Sequence, residues 1–232
     1  MTRPNIIKII CHDIGKHLGC YGIKSVNTNS IDSLAKDGIL FNNAFATSPG
    51  CSPSRAAIAT GRYPHNTGVL GLAHAHFGWS LDKKIKHIAK YFSSNDYNSI
   101  LFGLQHVTYH EETLGFKKIF PERPADHVIK NIEDNIDTIL FKKPFYAEVN
   151  FFEPHRPFDF GGVKSYRSKG VFIPKYIPNN SNIKKEFEAM QGAIKKMDES
   201  VGKIINILKK KGLYENTIII FTTDHGIPFP RA

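Results

Sequence analysis

Residues 6–13 of the chain read Ile-Ile-Lys-Ile-Ile-Cys-His-Asp, an apolar run that ends in two polar residues. Four isoleucines in five positions are typical of a buried β-strand, because β-branched side chains pack well on a pleated sheet. His12 and Asp13 follow this strand directly. In open α/β sheets ligands bind beyond the carboxyl ends of the strands, so these two side chains are the first candidates for a functional site.

The remainder of the chain alternates between apolar strand-like runs and helical patterns. This alternation predicts an α/β fold with a mainly parallel central sheet flanked by helices. The predicted strands are 6–11, 39–46, 98–102, 145–151 and 217–222. The predicted helices are 28–36, 54–60, 81–92, 126–139 and 183–210. Residues 157–182 are rich in Gly, Pro, Ser and Lys and predict a long surface loop.

Composition and charge limit the classes of partner. Of 232 residues, 41% are hydrophobic and 22% charged, as in a soluble protein with a core. The net charge of +10 would attract a sulfated or phosphorylated polyanion. We expect no nucleic-acid partner, because no RNA-recognition, zinc-finger or helix-turn-helix signature is present. We also expect no membrane span, because no apolar run approaches about 18–20 residues.

Cysteine usage and the N-terminal sequence bear on localisation. Three cysteines are too few for a disulfide framework and fit a reducing compartment. No signal-peptide pattern precedes the first strand. The expected location is therefore cytoplasmic, or periplasmic or secreted if a leader has been lost.

Residues 51–62 read Cys-Ser-Pro-Ser-Arg-Ala-Ala-Ile-Ala-Thr-Gly-Arg and carry the most specific motif. Proline is favoured in the first turn of a helix, so Cys51 is expected at a helix N-terminus with Arg55 one turn on. Free backbone N–H groups and the helix dipole favour an anion there. The structural alternative is a buried cysteine in front of a helix that begins at proline.

This segment resembles the C-x-P-S-R signature of the type I sulfatases, in which a formylglycine-generating enzyme oxidises the cysteine to formylglycine. The resemblance extends over residues 3–7, 19–22, 29–35 and 38–45. Residues 153–156 (Glu-Pro-His-Arg) and 223–230 (Thr-Asp-His-Gly-Ile-Pro-Phe-Pro) are more similar to the heparan N-sulfatase (sulfamidase) branch and its bacterial relatives than to arylsulfatases.

The resemblance implies an alkaline-phosphatase-like fold and a sulfuric ester or sulfamate hydrolase acting on sulfated sugars. It further implies that residues 1–232 are an N-terminal catalytic domain, C-terminally truncated, with the smaller C-terminal subdomain absent. Such a chain is expected to be nearly inactive by itself.

The family's metal site, carried over by resemblance, uses Asp13, Asp224, His225 and the modified Cys51. Carboxylate oxygens suit Ca²⁺, with Mg²⁺ or another divalent cation as the alternative. His12 stands where most sulfatases have an aspartate, and imidazole suits transition metals better than calcium. It is therefore either a ligand or a neighbour hydrogen-bonded to a carboxylate.

The resemblance also assigns residues that contact the sulfate. His106 and His155 match family histidines that assist proton transfer, with His155 the first choice of general acid, and Arg55 neutralises charge on the sulfuryl oxygens. Leu104 and Gln105 replace the usual lysine segment, so the sulfate-binding lysine is missing. Gln105 and Arg156 are the substrate-binding candidates. Five further histidines are interpreted as surface or core: His74, His76, His87, His110 and His127.

Two other functions stay open. A phosphodiesterase or phosphonate hydrolase of the same superfamily can carry the same modified cysteine. A non-catalytic polyanion-binding remnant is the alternative from a different class, supported by His12 and Leu104. The modification state of Cys51 and parallel assays on sulfate and phosphate substrates distinguish them.

Overall fold

A computed structural model of the chain describes residues 3–74, 76, 78–139 and 144–229. Five strands lie within these residues: β1 (Asn5–Cys11), β2 (Asn98–Gly103), β3 (Lys118–Phe120), β4 (Phe145–Asn150) and β5 (Thr217–Thr223). They form one sheet in the order β3-β2-β4-β1-β5. Every pairing is parallel, which confirms the predicted α/β class.

The helices of the described chain are α1 (Asn29–Asp37), α2 (Cys51–Thr60), α3 (Ile88–Ser94), α4 (Ala125–Ile139) and α5 (Ser181–Lys210), with short 3₁₀ turns between some of them. Four of the five strands and all five helices correspond to predicted elements. None of the helices that the structure describes combines the length and apolar character needed to cross a bilayer.

The sheet centre carries a buried ion pair in addition to its apolar residues. Ile9 and Ile10 of β1 and Val149 of β4 are buried, as their sequence predicts. Lys8 lies opposite Glu148 across the β1–β4 pairing, and its Nζ is 2.8 Å from Glu148 Oε2. The Lys8 charge offsets the burial of Glu148 and holds the pKa of that carboxyl at about 2.

Helix α5 packs one apolar stripe on the sheet, as its 3–4 periodicity predicts. Gly192 lies on its other side, against the 157–182 loop. A Cβ on Gly192 would lie 2.1 Å from the carbonyl oxygen of Lys164, so only glycine lets the loop approach so closely. Gln191 Nε2 donates to the carbonyl oxygens of Tyr166 and Gly170, each at 3.0 Å. The predicted surface loop is thus fastened to α5.

The strand predicted at 39–46 is wrong, because this segment has no secondary structure. Ile39 is 82% exposed and Phe45 is 88% exposed. A strand needs a neighbour for its backbone groups, and no strand of the described chain pairs with this segment. The apolar pattern therefore marks an exposed hydrophobic segment that faces β5 across a groove.

Two helix starts and one short strand also differ from the predictions. The helix predicted at 81–92 begins only at Ile88, because His87 caps it by accepting the backbone N–H of Ala89 at Nδ1. The helix predicted from residue 54 begins at Cys51. Strand β3 was not predicted, because three residues are too short for an alternating pattern to show.

Candidate functional site

The predicted polar residues meet beyond the carboxyl ends of the parallel strands. His12 and Asp13 follow β1, Asp224 and His225 follow β5, and Cys51 is the first residue of α2. His106 follows β2 and His155 follows β4. Strands β1 and β5 pair directly. The backbone N–H of Asp13 donates to Asp224 Oδ1 at 3.0 Å, which joins the ends of these two strands.

Cys51 lies at the N-terminus of α2 and is 8% exposed. Its Sγ is 3.3 Å from His225 Nε2 and 3.9 Å from Asp13 Oδ1. Burial by itself raises the pKa of the Cys51 thiol, but the neighbouring imidazoles of His12, His155 and His225 outweigh it and lower the pKa to about 5. The side chain therefore favours an anion, as expected of this helix position.

Arg55 lies one turn along α2 and is buried against Asp224. Arg55 Nε donates to Asp224 Oδ2 at 3.0 Å, and Ser54 Oγ donates to the backbone carbonyl of Asp224. Burial raises the pKa of the Asp224 carboxyl, but the charge of Arg55 and the contact with His12 outweigh burial and hold it well below its usual range. Asp224 is thus an anion bound to the helix that carries Cys51.

A cation could be held by His12, Asp13, Cys51 and Asp224. One ligand atom from each of these four residues lies within 4.8 Å of the others, and all four residues are buried. Neither ring nitrogen of His12 makes a hydrogen bond among the described residues, although Nδ1 is 3.1 Å from Asp224 Oδ2. Two carboxylates beside an unsatisfied buried imidazole fit a divalent cation, and the mixture of nitrogen and oxygen donors does not single out calcium.

His225 and His155 point their Nε2 atoms into the same space. His225 Nε2 is 3.0 Å from Asp13 Oδ1, and His155 Nε2 is 4.0 Å from Asp13 Oδ2. Burial lowers the pKa of His225, but its bonds to Asp13 and Cys51 raise it to about 10. The hydrogen bond with Cys51 raises the pKa of His155. Both imidazoles therefore favour the charged form beside the anionic groups.

His106 lies beside the cluster and has a neighbour that the sequence did not indicate. Burial, followed by the charge of Arg55, lowers the pKa of His106 to about 2, so its imidazole is neutral. His74 contacts it through Nδ1 against His106 Nε2, with ring centroids 4.3 Å apart. His74, interpreted from the sequence as surface or core, is exposed, and its ring lies against that of His106. It lies in the loop after α2 and not at a strand end, so the search of strand ends missed it.

The two predicted substrate-binding residues lie in other environments. Gln105 bonds within its own loop: its Oε1 accepts from Val107 N at 2.6 Å and its Nε2 donates to the Thr108 carbonyl at 2.6 Å. Arg156 pairs with Glu186 and lies over the ring of Phe158, 4.6 Å from the centroid. Both assignments stay predictions. Pro230, part of the similarity to the heparan N-sulfatase branch, lies outside the described residues.

Comparison with known proteins gives a family match. A family model described as Sulfatase matches residues 4–145 and 125–230. Human N-sulphoglucosamine sulphohydrolase is 28% identical over 265 residues, an alignment that covers the whole of this chain and 52% of the relative. The chain spans about half the length of the curated relatives it matches.

Solved structures share the fold at low identity. A protein crystallised with its substrate D-glucosamine-2-N,6-O-disulfate superimposes with a TM-score of 0.77 at 16% identity, covering 97% of this chain and 66% of that one. The phosphonate monoester hydrolase of Agrobacterium radiobacter superimposes with a TM-score of 0.72 at 20% identity, covering 97% and 63%. These likenesses confirm the predicted alkaline-phosphatase-like fold.

Proposed function

The chain belongs to the sulfatase family, and from that premise we propose that it hydrolyses sulfate esters or sulfamates of sugars with Cys51, as formylglycine, for its nucleophile. The observation that carries this proposal is the position of Cys51. It begins a ten-residue helix, is buried, and lies within reach of two carboxylates and several imidazoles. A sulfuryl group placed there would meet the positive end of the helix dipole.

Formylglycine supports the reaction because its hydrate offers one hydroxyl as a nucleophile and a second whose deprotonation expels sulfate. The thiol present in the sequence lacks that second group. Conversion by a formylglycine-generating enzyme is therefore part of the proposal, and that enzyme is the proposed maturation partner.

Asp13 and Asp224 are the proposed ligands of a divalent cation, together with residue 51, His225 and His12. The cation supplies Lewis-acid polarisation of the nucleophile and of the sulfuryl oxygens. Calcium is proposed first because both carboxylates offer oxygen atoms, with Mg²⁺ or another divalent cation as the alternative. His12 in place of a third carboxylate weakens the preference for calcium.

The chain's own side chains supply orientation and proton transfer. Arg55 is held by Asp224, and its Nη1 lies 3.5 Å from the Leu104 carbonyl, so its guanidinium lies between the nucleophile helix and the loop after β2. Nδ1 of His155 lies against the Arg156 carbonyl, which can only accept, so Nδ1 carries a hydrogen. Its Nε2 is then the atom that faces the site and delivers the proton to the leaving oxygen or amine. His106 is proposed to contact the sulfate from the other side.

The substrate class rests on similarity and charge. The relative that covers the whole chain is named for N-sulphoglucosamine, and the net charge of +10 favours a polyanionic glycan. We therefore propose a sulfated or N-sulfated sugar in preference to a bulky aryl sulfate.

The test is production of the chain with and without a formylglycine-generating enzyme, with peptide mass analysis of residue 51. Modified protein is assayed with divalent cation on glucosamine N-sulfate, an aryl sulfate and a phosphodiester, at the full length of the natural protein, because residues 1–232 are expected to be nearly inactive by themselves. Cys51→Ala is the inactive control and Cys20→Ala the matched control, because Cys20 lies outside the cluster. Residue 51 remaining a thiol in the presence of the maturation enzyme, or turnover that survives Cys51→Ala, would refute the proposal.

The same assay decides the second candidate. The likeness to a phosphonate monoester hydrolase shows that this fold also serves phosphorus chemistry. Faster turnover of the phosphodiester than of both sulfate substrates would favour it. Tight glycan binding without turnover of any substrate would favour the non-catalytic alternative.

A further inference from the structure

Three nitrogen and sulfur atoms that could bind a metal ion lie in the same cluster as the carboxylates. A ring nitrogen of His12, the Sγ of Cys51 and a ring nitrogen of His155 all lie within 4.8 Å of one another. They come from three different parts of the fold, after β1, at the start of α2 and after β4. His12 and Cys51 are buried, whereas the His155 side chain is 34% exposed, so the group has an open side.

The hydrogen bonds around the histidines leave ring nitrogens directed into the cluster. His155 Nδ1 lies against the Arg156 carbonyl, and His225 Nδ1 is 3.1 Å from the Gly226 carbonyl. Since a carbonyl can only accept, Nδ1 carries the hydrogen in each ring and Nε2 retains its lone pair when the ring is neutral. Metal-bound histidines are held in this way, by an oxygen acceptor on the second nitrogen.

His12 provides an independent observation. It is 0% exposed, and neither of its ring nitrogens makes a hydrogen bond within the described chain. Its Nδ1 comes within 3.1 Å of Asp224 Oδ2 but not in hydrogen-bond geometry. Burying a polar ring in this state is unfavourable unless a further partner is bound. A metal ion between His12, Cys51 and His155 would be that partner.

From this arrangement we infer that the chain with an unmodified Cys51 is a zinc-binding protein, with His12, Cys51 and His155 as ligands. Two imidazoles and a thiolate suit Zn²⁺, which commonly takes three protein ligands and leaves the fourth position to water. Zn–S bonds of about 2.3 Å and Zn–N bonds of about 2.0–2.1 Å place sulfur and nitrogen about 3.5 Å apart in a tetrahedral site. The donors lie no more than 4.8 Å apart, so they need to approach by roughly 1 Å.

This site differs from the proposed catalytic cation site in its donors and in the state of residue 51. The catalytic site uses the oxygen atoms of Asp13 and Asp224 and the oxidised residue, whereas zinc uses two nitrogens and the thiolate. Zinc replaces the thiol proton when it binds. The two ions would occupy the same space and could not bind together. Zinc would therefore bind only the chain whose Cys51 is still a thiol, and it would protect that thiol from reagents. This inference does not depend on sulfate hydrolysis.

The experiment uses the full chain made without a formylglycine-generating enzyme and freed of metal with a chelator. Cobalt(II) chloride is titrated first, because a thiolate ligand gives Co²⁺ a charge-transfer absorption in the near ultraviolet. We expect this absorption to saturate at one equivalent and to disappear when zinc chloride displaces cobalt. We also expect zinc to slow alkylation of Cys51 by iodoacetamide, located by peptide mass analysis.

The variants separate the ligands from the other candidates. Cys51→Ser should abolish the absorption, and His155→Gln and His12→Gln should each weaken zinc binding by about 100-fold or more, because even the outer-shell partners of metal ligands contribute about 10–100-fold. Cys20→Ser and His127→Gln, which change a thiol and an imidazole outside the cluster, should bind as the unaltered chain does. Circular dichroism verifies the fold of each variant. If Cys51→Ser does not fold, alkylation of Cys51 in the unaltered chain tests the same ligand, since it should eliminate the absorption.

Absence of the absorption, its survival after loss of the Cys51 thiol, or its loss in Cys20→Ser would overturn the inference. Matured protein does not enter this experiment. A cobalt absorption with the expected variant pattern, combined with no sulfate turnover by matured protein, would refute the proposed function alone.

Discussion

Arg55 Nε donates to Asp224 Oδ2 over 3.0 Å, and the two side chains are 2% and 0% exposed. This ion pair joins the helix that begins at Cys51 to the end of β5, so the nucleophile and a proposed cation ligand are held by one contact. A buried pair does not by itself guarantee stability, but removing one partner leaves the other charge without compensation. The pair is therefore the contact whose loss should have the largest effect on the site.

Arg55→Met should destabilise the protein by about 3–5 kcal/mol, because the buried Asp224 carboxylate loses its guanidinium partner. Urea denaturation at neutral pH measures this loss. The matched control is Asp126→Asn, which breaks ion pairs of a 52% exposed carboxylate with Lys196 and Lys203. That variant should change stability by no more than about 1 kcal/mol. Equal effects of the two variants would show that Asp224 does not need Arg55.

His155→Gln should reduce turnover of a sugar sulfate by about 10²–10⁴-fold in matured protein, the usual contribution of a general acid. An aryl sulfate with an acidic phenol should be affected much less, because its leaving oxygen departs without a proton. Steady-state kinetics on both substrates tests this difference. His127→Gln, at an exposed histidine, should leave both rates unchanged. Equal losses on the two substrates would assign His155 to positioning instead of proton transfer.

His12→Asp should increase Ca²⁺ affinity by about tenfold or more, a free-energy gain of about 1.4 kcal/mol. The change adds a carboxylate oxygen and a negative charge at a buried position next to Asp13 and Asp224, and calcium prefers such ligands. Calorimetric titration of the unmodified chain with calcium measures the affinity. An unchanged calcium affinity would mean that residue 12 does not face the cation.

Much of this arrangement follows from the sequence because strand ends are visible in it. The isoleucines of β1 marked the strand end at His12 and Asp13, and the resemblance to the sulfatases added Asp224 and His225 to the same predicted site. The strand predicted at 39–46 was wrong. The apolar pattern of this segment is typical of a strand, but strand formation also depends on a neighbouring strand from elsewhere in the chain. The His74–His106 contact could not be predicted, since it depends on the path of a loop.

His87→Asn should make the protein more resistant to acid. Burial lowers the pKa of His87 to about 4, whereas an unfolded histidine titrates near 6.5. Between these pH values the unfolded chain takes up a proton that the folded chain does not, so stability falls as the pH is lowered from about 6.5 to 4, by up to about 1.4 kcal/mol per pH unit. Above about 6.5 the effect vanishes.

Asparagine does not titrate and can still accept the Ala89 N–H as a helix cap. Urea unfolding of His87→Asn at several pH values between 4 and 7.5 should therefore show a shallower dependence than the unaltered chain. Burial also lowers the pKa of His17 to about 4. His17 is still present in the variant, so part of the dependence of stability on pH should remain. His127→Asn is the exposed control. An unchanged slope in His87→Asn would show that folding does not lower the pKa of His87.

Ile220→Lys should reduce concentration-dependent self-association of the 232-residue chain. Strand β5 is at the edge of the described sheet, and Ile218 and Ile220 are 49% and 45% exposed. The exposed segment with Phe41 and Phe45 faces them, so an apolar groove borders an unpaired strand edge. Such an edge is a template for pairing with another chain, and a lysine on it opposes that pairing.

Sedimentation equilibrium over a range of concentrations measures the self-association of the Ile220→Lys variant. Tyr91→Lys adds the same charge at an exposed tyrosine of α3, away from the groove, and should leave association unchanged. If both lysine variants reduced association equally, net charge would be responsible and the edge of β5 would not be the contact.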